Sequence, residues 1–334
     1  MRTLTALLLA TLASAQAAAA EADDYRLLKT IPVPGDGGWD YLAVDEAARR
    51  VYVSHGTQVE VLDADSGEVK GKIPDTAGVH GIALAPDLGR GFTSNGRANS
   101  VTIFDLKTLE KVGEAKTGRN PDSILYDPAT RQVFAFNGGS ASATVIDAAK
   151  GTVAGTIELG GRPEFAVSDG AGLVFVNIED KDELLKIDAR ERKVLERWPL
   201  APGKTPASLA LDGRNRRLFV GCRNKLLAVV NADSGKVITT LPVGERVDAT
   251  AYDAEAGLVF SACGDGTVAV VRQDGPDKYR VMETVKARPG SKTLALDAKT
   301  HRLFIPAAKY KPAAAPKARP TMEPGSFVVL IYGK

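Results

Sequence analysis

RVYVSHG, residues 50–56, is an apolar and aromatic run that stops abruptly at His55-Gly56, and the phrase returns six more times. The copies are RGFTSNG from 90, QVFAFNG from 132, LVFVNIE from 173, RLFVGCR from 217, LVFSACG from 258 and RLFIPAA from 302. An aromatic holds one slot throughout: Tyr52, Phe92, Phe134, Phe175, Phe219, Phe260 and Phe304. The spacings are 40, 42, 41, 44, 41 and 44 residues, so one unit of about 42 residues is repeated seven times.

Each unit carries the same punctuation. An apolar run ending in aspartate stands seven residues before the aromatic at Asp45, Asp127, Asp212, Asp253 and Asp297. After the aromatic come runs such as VLDADSGEVKGKI, IFDLKTLEKVGEA, VIDAAKGTVAGTI and VVNADSGKVITTL, each a strand, a tight turn and another strand. Four short alternating segments with turn residues about every ten positions predict a four-stranded antiparallel sheet per unit. Seven such units predict an all-β, seven-bladed β-propeller. The last unit ends at SFVVLIYGK with three strands, and YRLLKTIPV, residues 25–33, precedes the first. Pairing that N-terminal strand into the last blade would close the ring and remove two open edges.

The LALD-type inner runs, the RLFV-type strand and the V-x-D-x-x-S-G-x-V turn resemble the YVTN β-propeller repeat, a WD40-like architecture. The chain is similar throughout residues 21–334 to the YncE-like family of secreted or periplasmic propellers. That resemblance implies the fold and an exported protein. It implies no single activity, because one fold hosts many functions.

Among the 334 residues, 43 Lys and Arg nearly balance 41 Asp and Glu, for a net charge of +2, which argues against wrapping duplex DNA or lying on a membrane. Residues 1–20, MRTLTALLLATLASAQAAAA, read as a signal peptide: Arg2, an apolar run from Leu4 to Leu12, then small-residue cleavage sites. The apolar run is too short to span a bilayer. Export puts Cys222 and Cys263, equivalent positions in adjacent units, in an oxidising compartment. Three readings stay open for them: a disulfide closing a loop worth about 4 kcal/mol, two buried thiols, or, behind both, a metal-binding pair.

The aromatic column reads as packing between blades, and the turn aspartates as acceptors for backbone N–H groups. The slot of His55 varies instead: His55, Asn95, Asn137, Ile178, Cys222, Cys263, Ala307. It falls in the loop between second and third strands, on the face from which the inner strands are also approached, through GGWDY, AGVHG, RNPDS, GRPEF, KTPAS, ERVDA and PGSKT. The combined rim holds Trp39, Asp40, His55, His80, Asn95, Asp122, Asn137, Glu164, Asn177, Glu179, Arg223, Asn224 and Asp248, with Asp180 and Asp265 beside them. Polar residues gathered at one mouth of a rigid scaffold predict a ligand site there.

No motif implies a cofactor: C-x-x-C-H, G-x-S-x-G and a P-loop are absent, and two tryptophans are too few for a quinone propeller. A divalent metal is the ion these residue types would suit, with His55, His80 and Glu164 as candidate ligands. The Pro/Ala/Lys-rich insert 309–325 interrupts the last unit and is expected to be an extended, mobile, basic loop. The expectation is a monomeric, non-catalytic binding or scaffold module with a small molecule, peptide or protein at the channel mouth. A metal-dependent hydrolase of lactonase type is the alternative, and single-stranded nucleic acid a third partner.

Overall fold

The structure is a computed structural model describing residues 24–35, 37–312 and 320–334; the expected signal peptide lies outside the described residues. Seven four-stranded antiparallel sheets follow one another in chain order, and the only helical element among the described residues is a single 3-10 turn at Pro86–Leu88. No helix among them is long and apolar enough to cross a membrane. In the first blade the strands run Leu42–Asp45, Arg50–His55, Gln58–Asp63 and Val69–Ile73, from the channel outward.

Burial follows position in the blade. Second strands such as Arg50–His55 are buried on both faces beyond their first residue, which explains their unbroken apolar character. Outer strands such as Val69–Ile73 are mostly exposed, and their apolar content is correspondingly thin. Every aromatic of the repeated column is fully buried. Each also belongs to a different apolar cluster, and each cluster joins two consecutive blades: Tyr52 between the first and second, Phe92 the second and third, Phe134 the third and fourth. Phe175, Phe219, Phe260 and Phe304 serve the remaining four interfaces, the last joining the seventh blade to the first. Removing one such ring costs about 3–5 kcal/mol in a packed core.

The turn aspartates do the work expected of their geometry. Asp63 Oδ1 accepts the backbone N–H of Asp65 and Ser66, and Asp105, Asp147, Asp188 and Asn231 repeat the pattern. The last of these turns requires glycine. Gly235 has φ +71°, and a Cβ there would lie 2.1 Å from the Trp198 ring. The aspartates ending the inner strands cap their own turns too, and in addition tie blades together. Asp127 accepts from Ser168 at 2.6 Å, Asp253 pairs with His301 at 2.6 Å, and Asp297 accepts both Arg49 nitrogens at 3.0 and 2.8 Å.

The ring closes as the repeat count requires. The seventh blade orders Ala295–Asp297, Arg302–Ala307, Val328–Gly333 and, outermost, the N-terminal strand Arg26–Pro32. Register runs from Arg26 opposite Gly333 to Pro32 opposite Val328, with a bulge between Leu27 and Lys29. Ile31 and Val33 are buried in the seam between the last and first blades. The insert leaves between the second and third strands of this blade, but its ends are not simply extended: Tyr310–Lys311 pairs with Thr321–Met322 as a short ladder. Cys222 and Cys263 are free, buried thiols, each directed at a carbonyl of its own strand, Val220 and Ser261. Burial pushes both up to about 12, leaving them unreactive in the folded protein.

Deleting residues 24–33 should therefore leave Val328–Gly333 as an open, apolar edge and cost at least about 4 kcal/mol from Ile31 and Val33 alone. Size-exclusion chromatography should show self-association and calorimetry a lowered unfolding midpoint. A monomer with unchanged unfolding would mean the ring is closed by other contacts.

Candidate functional site

The approach pentads align as a column. Their fourth letters are Asp40, His80, Asp122, Glu164, Ala207, Asp248 and Lys292, one from each blade. The backbone explains why these side chains face the channel. At the mouth end of the inner strands, pairing skips residues: Pro121 lies opposite Asn137 but the next pair is Ile124 with Ala135. The same irregularity follows Val79, Pro163, Pro206 and Val247. Such bulges add a residue and bend the strand, which turns the column residue toward the axis. In the second blade Ser94 Oγ steadies the bulge, accepting Gly81 N–H at 2.8 Å and donating to the Asp122 carbonyl.

The column forms a ring of ion pairs. His80 Nδ1 lies 2.6 Å from Asp40 Oδ2 and 3.7 Å from Asp122 Oδ1. Lys292 donates to Asp248 and stands 3.7 Å from Asp40 Oδ1. Ala207 leaves a gap on the fifth blade, and Arg223, from that blade's second-to-third-strand loop, supplies the missing charge. Its guanidinium reaches Glu164 at 2.8 Å, Asp248 at 2.9 Å and Glu179 at 3.2 Å. Arg162 adds a second cation on Glu179 at 2.9 Å. Below the ring, Tyr41 of the first blade meets Phe165 of the fourth, ring centroids 5.2 Å apart, across the channel. These two rings turn the pore mouth into a cup.

Carboxylates outnumber the permanent cations. Asp40, Asp122, Glu164, Glu179 and Asp248 face Arg162, Arg223 and Lys292. Burial, then the charge of Asp40, pushes Asp122 up to about 7. Burial, then the charges of Asp122 and Glu179, pushes Glu164 up to about 9. For Lys292 burial works against the charge, but Asp40 and Asp248 outweigh it and hold the ammonium above its ordinary value. His80 behaves alike: burial opposes its charge, and the Asp40 hydrogen bond with Asp122 raises it nonetheless.

Not all of the expected rim assembles here. Asp40, His80, Asp122, Glu164, Glu179, Arg223 and Asp248 converge. His55, expected beside His80, is buried against Phe327 with centroids 4.4 Å apart, away from the ring. The metal set His55, His80 and Glu164 therefore does not form; Asp40, His80 and Asp122 are the groups within ligand reach of one another. Asn95 and Asn137 turn back into their own blades, donating to Thr102 at 2.9 Å and Thr144 at 3.0 Å. Asn177 donates to the Ser208 carbonyl at 3.0 Å, and Asn224 locks its loop through Lys204 N–H and the Pro202 carbonyl. Asp180 and Asp265 cap the N–H groups of Arg162 and Glu245.

Sequence reasoning missed Lys292, Tyr41, Phe165 and Arg246, and singled out Tyr310 only as an insert residue that could stack on single-stranded nucleic acid. Lys292 was legible as the seventh letter of the aligned column. Arg246 stands at a repeat position that other blades fill with Gly, Asn, Arg or Thr, and Tyr310 lies in the insert, so the repeat marks neither as a pocket residue. With Trp39, Pro289, Lys292 and Pro320 they line a cavity of about 670 Å³ beside the ring. A recess of about 250 Å³ shares Arg246 and Lys292 and continues to Arg223 and Asp248. Trp39 stacks on Phe327 at 5.0 Å, lies 6.1 Å from Tyr310, and its buried indole N–H has no hydrogen-bond partner among the described residues. Arg246 donates to the Gly264 carbonyl at 2.7 Å and makes no ion pair among the described residues, though its charge helps to lower the Asp265 carboxyl.

No family model matches the sequence, and no curated protein matches it. Solved structures do. A chain of the Kuenenia stuttgartiensis hydrazine synthase is similar over 87% of this chain and 97% of its own, with TM-score 0.72 and 15% identity. A chain of the mitotic checkpoint complex is similar over 99% and 98%, with TM-score 0.77 and 14% identity. At such identity the likeness shows the propeller fold and nothing of function.

Two outcomes follow from the ring. Arg223→Met strands Glu164 and Asp248 and should cost on the order of 3 kcal/mol, while Glu164→Gln in that background should recover part of it; no loss in denaturant titration would deny Arg223 its role. The pH dependence has a definite sign. Unfolded carboxyls titrate near about 4, so the folded state holds the Asp122 and Glu164 protons more tightly. Their contribution is complete below that value and is lost as pH rises through about 7 and about 9. Stability should fall between about pH 5 and about pH 9, and Glu164→Gln should flatten the upper part of the curve.

Proposed function

We propose that this propeller is a ligand-binding module whose mouth takes a small anion with a planar or apolar body. One observation carries the reading: Arg246, which makes no ion pair among the described residues and feels Asp265 only at longer range, stands in a cavity walled by Trp39 and Tyr310. Aromatic faces supply non-polar contact area, and a guanidinium with unused donors pairs well with a carboxylate or similar group. The cavity volume of about 670 Å³ lies in the range of small-molecule sites. A protein or peptide partner would need a broader surface than this recess.

The finer identity belongs to the same proposal. The repeat phrases support a YncE-like protein, and the pattern of residues 1–20 supports export to the periplasm or beyond, with the ligand met outside the cytoplasm.

The chain has two tryptophans, so Trp198→Phe leaves Trp39 as the reporter within the pocket. Titrating that variant with benzoate, phenylacetate and cyclohexanecarboxylate should quench or shift its fluorescence saturably. Benzyl alcohol, lacking the charge, should bind at least about tenfold more weakly, and Arg246→Ala should weaken the acids similarly. No response to any of these acids at millimolar concentration would overturn the proposal. Quenching by an oligothymidine with steep salt dependence would favour the nucleic-acid reading instead.

A further inference from the structure

We propose that the Asp40–His80–Asp122 corner of the ring is a divalent-cation site. This goes beyond the anion pocket and does not depend on it. The three ligand atoms, Asp40 Oδ2, His80 Nδ1 and Asp122 Oδ1, come from the first three blades and lie within 4.8 Å of one another. Donors on one small ion at roughly 2.1 Å stand about 3 Å apart, so the pairs at 2.6 and 3.7 Å need only small adjustments. His80 and Asp122 sit on bulged strands and Asp40 in the segment leading into the first inner strand, and His80 Nδ1 already lies beside both carboxylates, so the set is preassembled.

A second observation points to a missing partner. Asp122 Oδ1, one of the three ligand atoms, is buried with no hydrogen-bond partner among the described residues and has only His80 Nδ1 at 3.7 Å beside it; Glu164 Oε2 is likewise unbonded, with Arg162 at 3.8 Å. Buried polar atoms are almost always satisfied, so such orphans call for a water or an ion. The charge balance calls for the same thing, since two carboxylates of the ring have no permanent cation. The divalent ion would supply that balance, and otherwise protons do.

The surrounding charges are compatible with this. Lys292 is held by Asp248 and approaches only the other oxygen of Asp40, leaving Oδ2 facing His80. Arg223 is engaged by Glu164, Glu179 and Asp248 on the far side of the ring. One imidazole with two carboxylates suits zinc or manganese, whereas calcium asks for six or more oxygens. Three protein ligands leave positions for water or a ligand group. Tyr41, beneath Asp40, Asp122, Glu164 and Asp248, is held well above its ordinary value by burial and then by those charges, and stays a neutral hydroxyl.

The test is calorimetric titration of metal-stripped, full-length protein with zinc and with manganese. One ion per chain is expected, with affinity at least about tenfold higher at about pH 8 than at about pH 6, because ion and protons compete. Asp122→Asn and His80→Gln should each weaken binding at least about tenfold, and His55→Ala should leave it unchanged. Asp122→Asn relieves crowded negative charge, so metal-free it should unfold no earlier than the wild type, which separates lost binding from lost fold. Zinc should raise the unfolding midpoint of the wild type and of neither ligand variant. Absence of binding at millimolar metal, or binding indifferent to both substitutions, would overturn the site.

Discussion

The ladder between Arg26–Pro32 and Val328–Gly333 is the contact on which everything else rests. Each blade buries its aromatic only against the next blade, so the seven apolar clusters form a circle with no first member. A break at one seam exposes a sheet edge and two apolar faces at once. Strand pairing across the chain ends works with Arg49, whose two nitrogens grip Asp297 across the same seam. Closure also fixes the angular positions of the inner strands, and hence which column residues face one another over the channel.

The fold was legible because it is written seven times. A single RVYVSHG says little, but an aromatic returning at intervals of 40 to 44 residues leaves one economical architecture. The missing strand at one end and the spare strand at the other then dictate the closure. The site was legible in part, and the division has a physical cause. Asp40, His80, Asp122, Glu164 and Asp248 occupy a repeat position; a bulge aims His80, Asp122, Glu164 and Asp248 inward, while Asp40 stands just before its unbulged strand. His55 also occupies a repeat position, but one whose backbone ends a buried strand, and the side chain follows it into the seam beside Phe327. Strand-end position alone does not separate these cases; on the bulged strands the register irregularity does, and it is not written in residue type.

The remaining differences come from the insert and from loop positions whose residue type changes from blade to blade. Tyr310 reaches the mouth because the ends of the insert pair as a ladder, a long-range outcome that proline and lysine content do not reveal. Gly290, at φ +90°, helps to admit it: a Cβ there would stand 3.3 Å from the tyrosine ring. Arg223 was found as a rim residue, yet its role depends on Ala207 being small in the column. That is a correlation between two positions, invisible when each is read by itself.

Lys292 links the two halves of the mouth. Its ammonium belongs to the ring through Asp248 and Asp40, and its side chain also lines the cavity that contains Trp39 and Arg246. A negative group entering that cavity competes with Asp40 and Asp248 for the same cation. As that competition draws Lys292 away, the negative excess on the first three blades grows, and with it the attraction for a proton or a divalent ion. Conversely, a cation held by Asp40 repels Lys292 toward the cavity and strengthens the positive field around Arg246. If both proposed subsites fill, they would reinforce one another through this one shared charge, and electrostatic coupling across a few ångströms needs no movement of the blades.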